Sequence, residues 1–322
     1  MDAVRKVTIG TLALMLVLAS ADLMAGGTHI SILHPSEADI LILLKLRLPR
    51  MLTSVLAGAS LSVAGLQMQS LFRNPLSDPH IMGVSSGASV AAAIVAMALP
   101  VSASVSIPLA AAAFTGALLT SLLVMAVSSR VSNSGTLLLF GVMLGYILSA
   151  VVSIVQYGAS EKALKYFYNW SAGSFIAASW PQISILAVLM SLSVLLAFFN
   201  AKGLDILLFG DEFALVSGVS PKKVRIVSLL SCCLVTGAVT AFCGPLGFVG
   251  IVAPHIARRL CGTAVHSRVI LPSMLTGAVV ALLADMISLL TDSPMPVGSA
   301  MALVGIPVVM FILLKSREGG RV

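Results

Sequence analysis

The chain has 322 residues, 58% of them hydrophobic and 10% charged, with a mean hydropathy of +1.07 and a formal net charge of +7. Soluble domains carry about 25% charged residues, so this composition excludes a soluble enzyme or binding module and points to a bilayer. A pI near 9.5 without any basic-aromatic stretch reads as a cationic bias of membrane loops rather than nucleic-acid binding.

A membrane helix needs about 20 mostly apolar residues. Ten runs qualify in chain order: 7–25, 51–71, 82–99, 107–128, 136–157, 182–199, 226–243, 246–260, 269–290 and 296–314. They predict an all-α polytopic membrane protein, a single transmembrane domain over 1–322. The first run follows Arg5 and Lys6 and is too long for a signal-peptide core, so it reads as a retained helix. Breaks are marked by RNPLSDP, by the segment 100–108, by SSRVSNSG and by the long connection NAKGLDILLFGDEFALVSGVSPKKVR. Counting basic residues orients the chain. With both termini in the cytoplasm, 14 of the 19 Lys and Arg fall inside, and only Lys45, Arg47, Arg50, Lys162 and Lys165 fall outside.

The second and seventh runs share the pattern G-A-x5-G, as GASLSVAG (58–65) and GAVTAFCG (237–244). Small residues let helix backbones approach closely in lipid. One run points inward, the other outward, and each precedes a proline-containing break. That is the signature of an inverted repeat, roughly 51–157 against 226–314, as in many transporters.

Few polar groups lie within the runs. Asp22 and Asp285 each sit near a run's end, where a polar partner or an ion-site role is open to them. Gln67, Gln69 and Gln156 either line a pathway or bond between helices, and Asn74 and Pro75 in the first break are further pathway candidates. His255 has no second ligand spaced to join it in a metal site, and the four cysteines form no C-x-x-C pair. No HExxH, GxSxG or GxxxxGK[ST] motif is present, so any ATP used in transport must be hydrolysed by another polypeptide. The segment 203–225 is amphipathic, with Leu204, Leu207, Leu208, Phe213, Leu215 and Val216 set among Asp205, Asp211 and Glu212. Gly210 and Gly218 divide it, predicting two short helices that could dock on a partner or lie on the membrane as a connector.

Several of these segments together carry a resemblance. RLPRMLTSVLAGASLSVAGLQMQSLFRNPLSDPHIMGVSSGAS (47–89), TLLLFGVMLGYILSA (136–150), NWSAGSF (169–175), LLFGDEFALVSGV (207–219) and GPLGFVGIVAPHIARRLCG (244–262) resemble, in this order, the membrane permeases of type II ABC importers. This FecCD and vitamin B12-importer-like family takes up ferric siderophores, haem or cobalamin. The resemblance implies ten helices, with helices 2–5 and 7–10 related by inversion. It implies a homodimer in the bacterial inner membrane, a cytoplasmic ATPase dimer that binds the ATP and Mg, and a periplasmic or lipid-anchored substrate-binding protein. It implies no cofactor in this chain and no nucleic-acid partner. Arg47 and Arg50 match the motif that faces outward to acidic residues of the binding protein. Gly210, Asp211, Glu212, Ala214, Gly218 and Val219 match the coupling helices that meet the ATPase. Ser134 and Gly135 match the cytoplasmic gate. The third docking arginine of the family is replaced here by Leu289, and Pro294 and Met295 stand where an acidic residue is common. The cargo this implies is a ferric siderophore or haem ahead of vitamin B12. The rival reading is an ion-coupled secondary transporter using Asp22 or Asp285, which would have no need of 203–225.

Overall fold

The computed structural model describes residues 2–25, 36–98, 106–131, 133–176, 179–290 and 295–318, with the side chains of all but 106, 107 and 312–318. Most of the break expected over 100–108, and Pro294, lie outside these residues. Every regular element among them is helical. α1 (Asp2–Met24) is followed by α2 (Glu37–Ile42), whose N-terminus is closed by a reciprocal capping box between Ser36 and Asp39. A π-helical turn, Leu43–Arg47, then leads directly into α3 (Leu48–Leu71). RLPR is therefore already helical, not a loop before a helix starting at 51. Pro49 thus lies inside a continuous helical run, where it removes one backbone donor just after the π-helical turn that widens the helix ahead of it.

α3 is the axis of the molecule. It packs against α12 (His266–Ser288), α8 (Trp180–Leu207), α10 (Pro221–Cys243) and α11 (Val249–Cys261). Almost all of its residues from Pro49 to Leu71 are buried, so its Ser, Thr and Gln side chains meet other helices rather than lipid. The remaining apolar helices are α4 (Val84–Ala98), α5 (Ser106–Ser128), α6 (Ser134–Tyr157) and α13 (Val297–Glu318). Among the described residues six helices are long and apolar enough to cross a membrane: α1, α5, α6, α8, α10 and α12.

Small residues bring the crossings close. A Cβ on Gly58 would strike the backbone of Gly277 in α12, one on Gly65 the backbone of Gly250 in α11, and one on Gly87 the side chain of Thr120 in α5. The second G-A-x5-G behaves differently. A Cβ on Gly237 would come within 3.1 Å of the Ala117 Cβ in α5, a tight side-chain contact rather than a clash with backbone, and Gly244 takes a φ of +78° to end α10. The two matching patterns thus do different work, close packing in α3 and chain reversal after α10.

Two boundaries differ from expectation. α8 runs on to Leu207 instead of stopping near 199, because Ala197, Ala201, Leu204 and Leu207 prolong one buried face at helical spacing. Consequently only one short helix, α9 (Asp211–Val216), stands free in the segment 203–225. α7 (Glu161–Ser171) is an additional amphipathic helix, capped by Ser160 and held by Ala163 and Phe167.

Candidate functional site

Polar side chains collect at the two ends of α3, which its length separates by about 35 Å. At its first turn, Arg50 Nε donates to Asp285 Oδ2 of α12 at 2.9 Å, and its Nη2 to Asp22 Oδ1 of α1 at 3.3 Å. Arg50 is 8% exposed, Asp22 2% and Asp285 1%. Ser288 Oγ donates to the Asp285 carbonyl oxygen at 2.7 Å. Arg47, also buried, donates from Nη1 to the Leu23 carbonyl oxygen at 2.8 Å. Arg50 does not stand free at this end: two carboxylates of its own chain hold the guanidinium. The same contacts give Asp22 and Asp285 a shared cation, so the carboxylates that an ion-coupled carrier would need are already paired. Leu289 caps the end of α12 just beyond this cluster. Lys45, Lys162 and Lys165 are exposed.

At the other end, Asp211 opens α9 and binds two arginines. Arg73 Nη2 donates to its Oδ1 at 2.8 Å, and Arg225 Nη2 to its Oδ2 at 2.9 Å. Arg73 Nε also donates to the Leu207 carbonyl oxygen at 3.1 Å, tying the end of α3 to the end of α8. Arg225, at the start of α10 and buried, reaches the start of α6: Nη1 donates to the Val131 carbonyl oxygen at 3.1 Å and Nη2 to Ser134 Oγ at 3.2 Å. Asn133 caps α6 by accepting from the Gly135 N–H at 2.7 Å. A cavity of about 670 Å³ lies between these parts, lined by Arg73, Ser134, Gly135, Asp211, Glu212 and Phe213 among others. The structure therefore brings together the two groups of residues that the sequence treated separately, Ser134 and Gly135 on one side and Asp211 and Glu212 on the other.

α9 is built to present a surface. Gly210 (φ +120°) and Gly218 (φ +76°) take backbone conformations open to glycine and let the chain enter and leave the short helix sharply. Ala214 is buried, and the Val219 N–H donates to its carbonyl oxygen at 2.8 Å. Phe209, Phe213, Leu215 and Val216 are exposed, Val216 by 90%. Residues 203–207 belong to α8, so the expected helix pair is corrected to one helix hung from the end of a longer one.

The proposed pathway residues are corrected as well. Gln69 does not face open space: its Nε2 donates to the Gly250 carbonyl oxygen at 3.0 Å and its Oε1 accepts from Arg258 Nη1 at 2.7 Å. Asn74 Oδ1 accepts from the Leu76 N–H at 3.0 Å and shapes the turn after α3, while Pro75 is exposed. Gln67 donates to Ser231 Oγ of α10 at 2.8 Å. Among the described residues no group of three or more His, Cys, Asp or Glu could hold a metal ion. Arg225 and Arg73 escaped the sequence reading because there they only counted as inward charges. Neither has a local motif, and their partner lies 14 and 138 positions away.

Known proteins resemble the chain over nearly its whole length. The profile of the FecCD transport family matches residues 7–315. The hemin transport system permease protein of Yersinia pestis is 33% identical, covering 95% of each chain. The vitamin B12 import system permease protein of Vibrio parahaemolyticus is 33% identical over 98% of this chain and 95% of its own. A solved metal-chelate type ABC transporter in an inward-facing conformation matches with a TM-score of 0.88 at 27% identity, covering 97% of this chain and 99% of that one.

Proposed function

The chain belongs to the FecCD transport family, and on that premise we propose that it is the membrane-spanning subunit of an ATP-driven importer of a metal chelate, a ferric siderophore or haem ahead of vitamin B12. In this reading two copies form a homodimer in the bacterial inner membrane, both termini are cytoplasmic, and ten helices cross the bilayer. The segments 51–157 and 226–314 are its inverted halves. A cytoplasmic ATPase dimer carries the ATP and Mg, and a periplasmic or lipid-anchored binding protein delivers the chelate.

The observation that carries this reading is α9. A six-residue helix cannot span a bilayer, yet it exposes Phe213, Leu215 and Val216 while its Asp211 is held from behind by two arginines. An apolar face held out on a fixed support fits a protein partner, here the ATPase. Gly210, Asp211, Glu212, Ala214, Gly218 and Val219 form this coupling element, and Ser134 and Gly135 form the gate across the cavity from it. Docking of the binding protein is assigned to the Arg47 and Arg50 end. A carboxylate arriving there would compete with Asp22 and Asp285 for Arg50, and exposed Lys45 would steer its approach.

The test is purification in mild detergent from native membranes. An equimolar ATPase that co-purifies, and is lost on Val216→Asp, is the expected result. A chain that purifies alone and moves a chelate in liposomes under an ion gradient would overturn the proposal.

A further inference from the structure

We propose that Arg225 is the positioning residue through which movement of α9 reaches the gate segment before α6. The proposal rests on the reading of α9 as the ATPase-contacting element. A single nitrogen, Arg225 Nη2, donates both to Asp211 Oδ2 on α9 at 2.9 Å and to Ser134 Oγ at 3.2 Å, while Nη1 of the same planar fork holds the Val131 carbonyl oxygen at 3.1 Å. The two elements it joins make no hydrogen bond to each other among the described residues, and the cavity of about 670 Å³ separates them.

The burial of Arg225 makes this joint directional. Its side chain is 3% exposed, whereas that of Asp211 is 34% exposed. A buried guanidinium left without its carboxylate is strongly disfavoured, while a half-exposed carboxylate is readily satisfied by water. When α9 is displaced, the arginine therefore follows Asp211 or gives up Ser134 and Val131; either way the segment before α6 changes its support. A shift of about 1 Å is enough, because hydrogen bonds near 3 Å are lost beyond about 3.5 Å. Arg73 is the built-in contrast. It binds the other oxygen of the same carboxylate at 2.8 Å, but its other hydrogen bond is to the Leu207 carbonyl oxygen, and among the described residues it makes none to the start of α6. Lysine cannot replace the fork at Arg225, since its donors all leave one nitrogen and cannot span the acceptors that Nη1 and Nη2 hold from two fixed positions in one plane.

The experiment uses the whole complex with its ATPase in proteoliposomes. The reporter is a thiol at an exposed position near the gate, Thr136→Cys, labelled with a water-soluble maleimide; the native Cys232, Cys233, Cys243 and Cys261 are buried. Labelling in the parent is expected to change on ATP addition. With Arg225→Lys that ATP dependence should vanish, and uptake per ATP hydrolysed should fall about tenfold, a coupling change of ordinary size. Arg73→Lys should keep the ATP-dependent labelling and lose less uptake. Arg225→Lys labelled and coupled like the parent, or Arg73→Lys as damaging to the labelling change as Arg225→Lys, would overturn the relay. A parent that hydrolyses ATP with no change at position 136 also overturns it and leaves the ATPase assignment standing. A parent that captures no ATPase removes the assignment itself.

Discussion

The two ends of α3 carry opposite versions of one device. At the Arg50 end a single arginine sits between two aspartates; at the Asp211 end a single aspartate sits between two arginines. The first is sealed, with side-chain exposures of 10% for Arg50, 1% for Asp22 and 2% for Asp285. The second is open on one side only, with 42% for Arg73 and 34% for Asp211 against 3% for Arg225. The same chemistry thus gives a sealed staple in one place and, in the other, a pair with one buried arm and one arm that water can replace. Sealed charges bind each other because neither can reach water, and breaking them leaves a stranded ion. Open charges can exchange their partner for water at little loss, which a moving part requires.

The strongest way to break this contrast is Arg50→Ala. It strands two buried carboxylates and should destabilise the protein by about 3–5 kcal/mol, read as a lower unfolding midpoint in detergent. Asp285→Asn sharpens it: Arg50 keeps Asp22 and a neutral amide remains in place, so the loss should be about 1–3 kcal/mol in the same assay. Arg73→Gln, which removes the half-exposed partner of Asp211 and leaves the buried Arg225 paired, should shift the midpoint by no more than about 1 kcal/mol. Equal thermal losses from Asp285→Asn and Arg73→Gln would dissolve the distinction between the two ends. The smallest effect is expected from salt. Raising ionic strength from 0.1 to 1 M shortens the screening length from about 10 to 3 Å, so amide exchange over residues 207–216 should quicken, with exchange around Arg50 unchanged.

Much of this architecture can be read from the chain alone, since each of the ten apolar runs falls on a helix of the structure. What the runs do not contain is the partnership across them. Arg50 and Asp285 are 235 positions apart, and nothing local distinguishes a docking arginine from one turned inward. Gln69 likewise looks like a pathway residue until α11 supplies its two bonding partners. α7 was overlooked because its composition is too polar for a span. Its signal was present in Ser160 as a cap, and in Ala163, Phe167 and Trp170 on one face at helical spacing. The overlong α8 had the same kind of signal, an apolar face continuing through residues whose average looked too polar to be part of a span.

That extra length of α8 has a geometric consequence. Its 28 residues make a rod of about 42 Å, longer than the roughly 30 Å of bilayer hydrocarbon, so its last turns rise clear of the lipid with α9 at the tip. Along this stalk each residue adds only about 1.5 Å of height but turns the tip by about 100°. Insertion or deletion of one residue between Asn200 and Leu207 would leave α9 at nearly the same level while swinging Phe213 and Val216 around the axis. The spacing of the stalk sets a compass bearing rather than an altitude, so its length is constrained in whole helical turns.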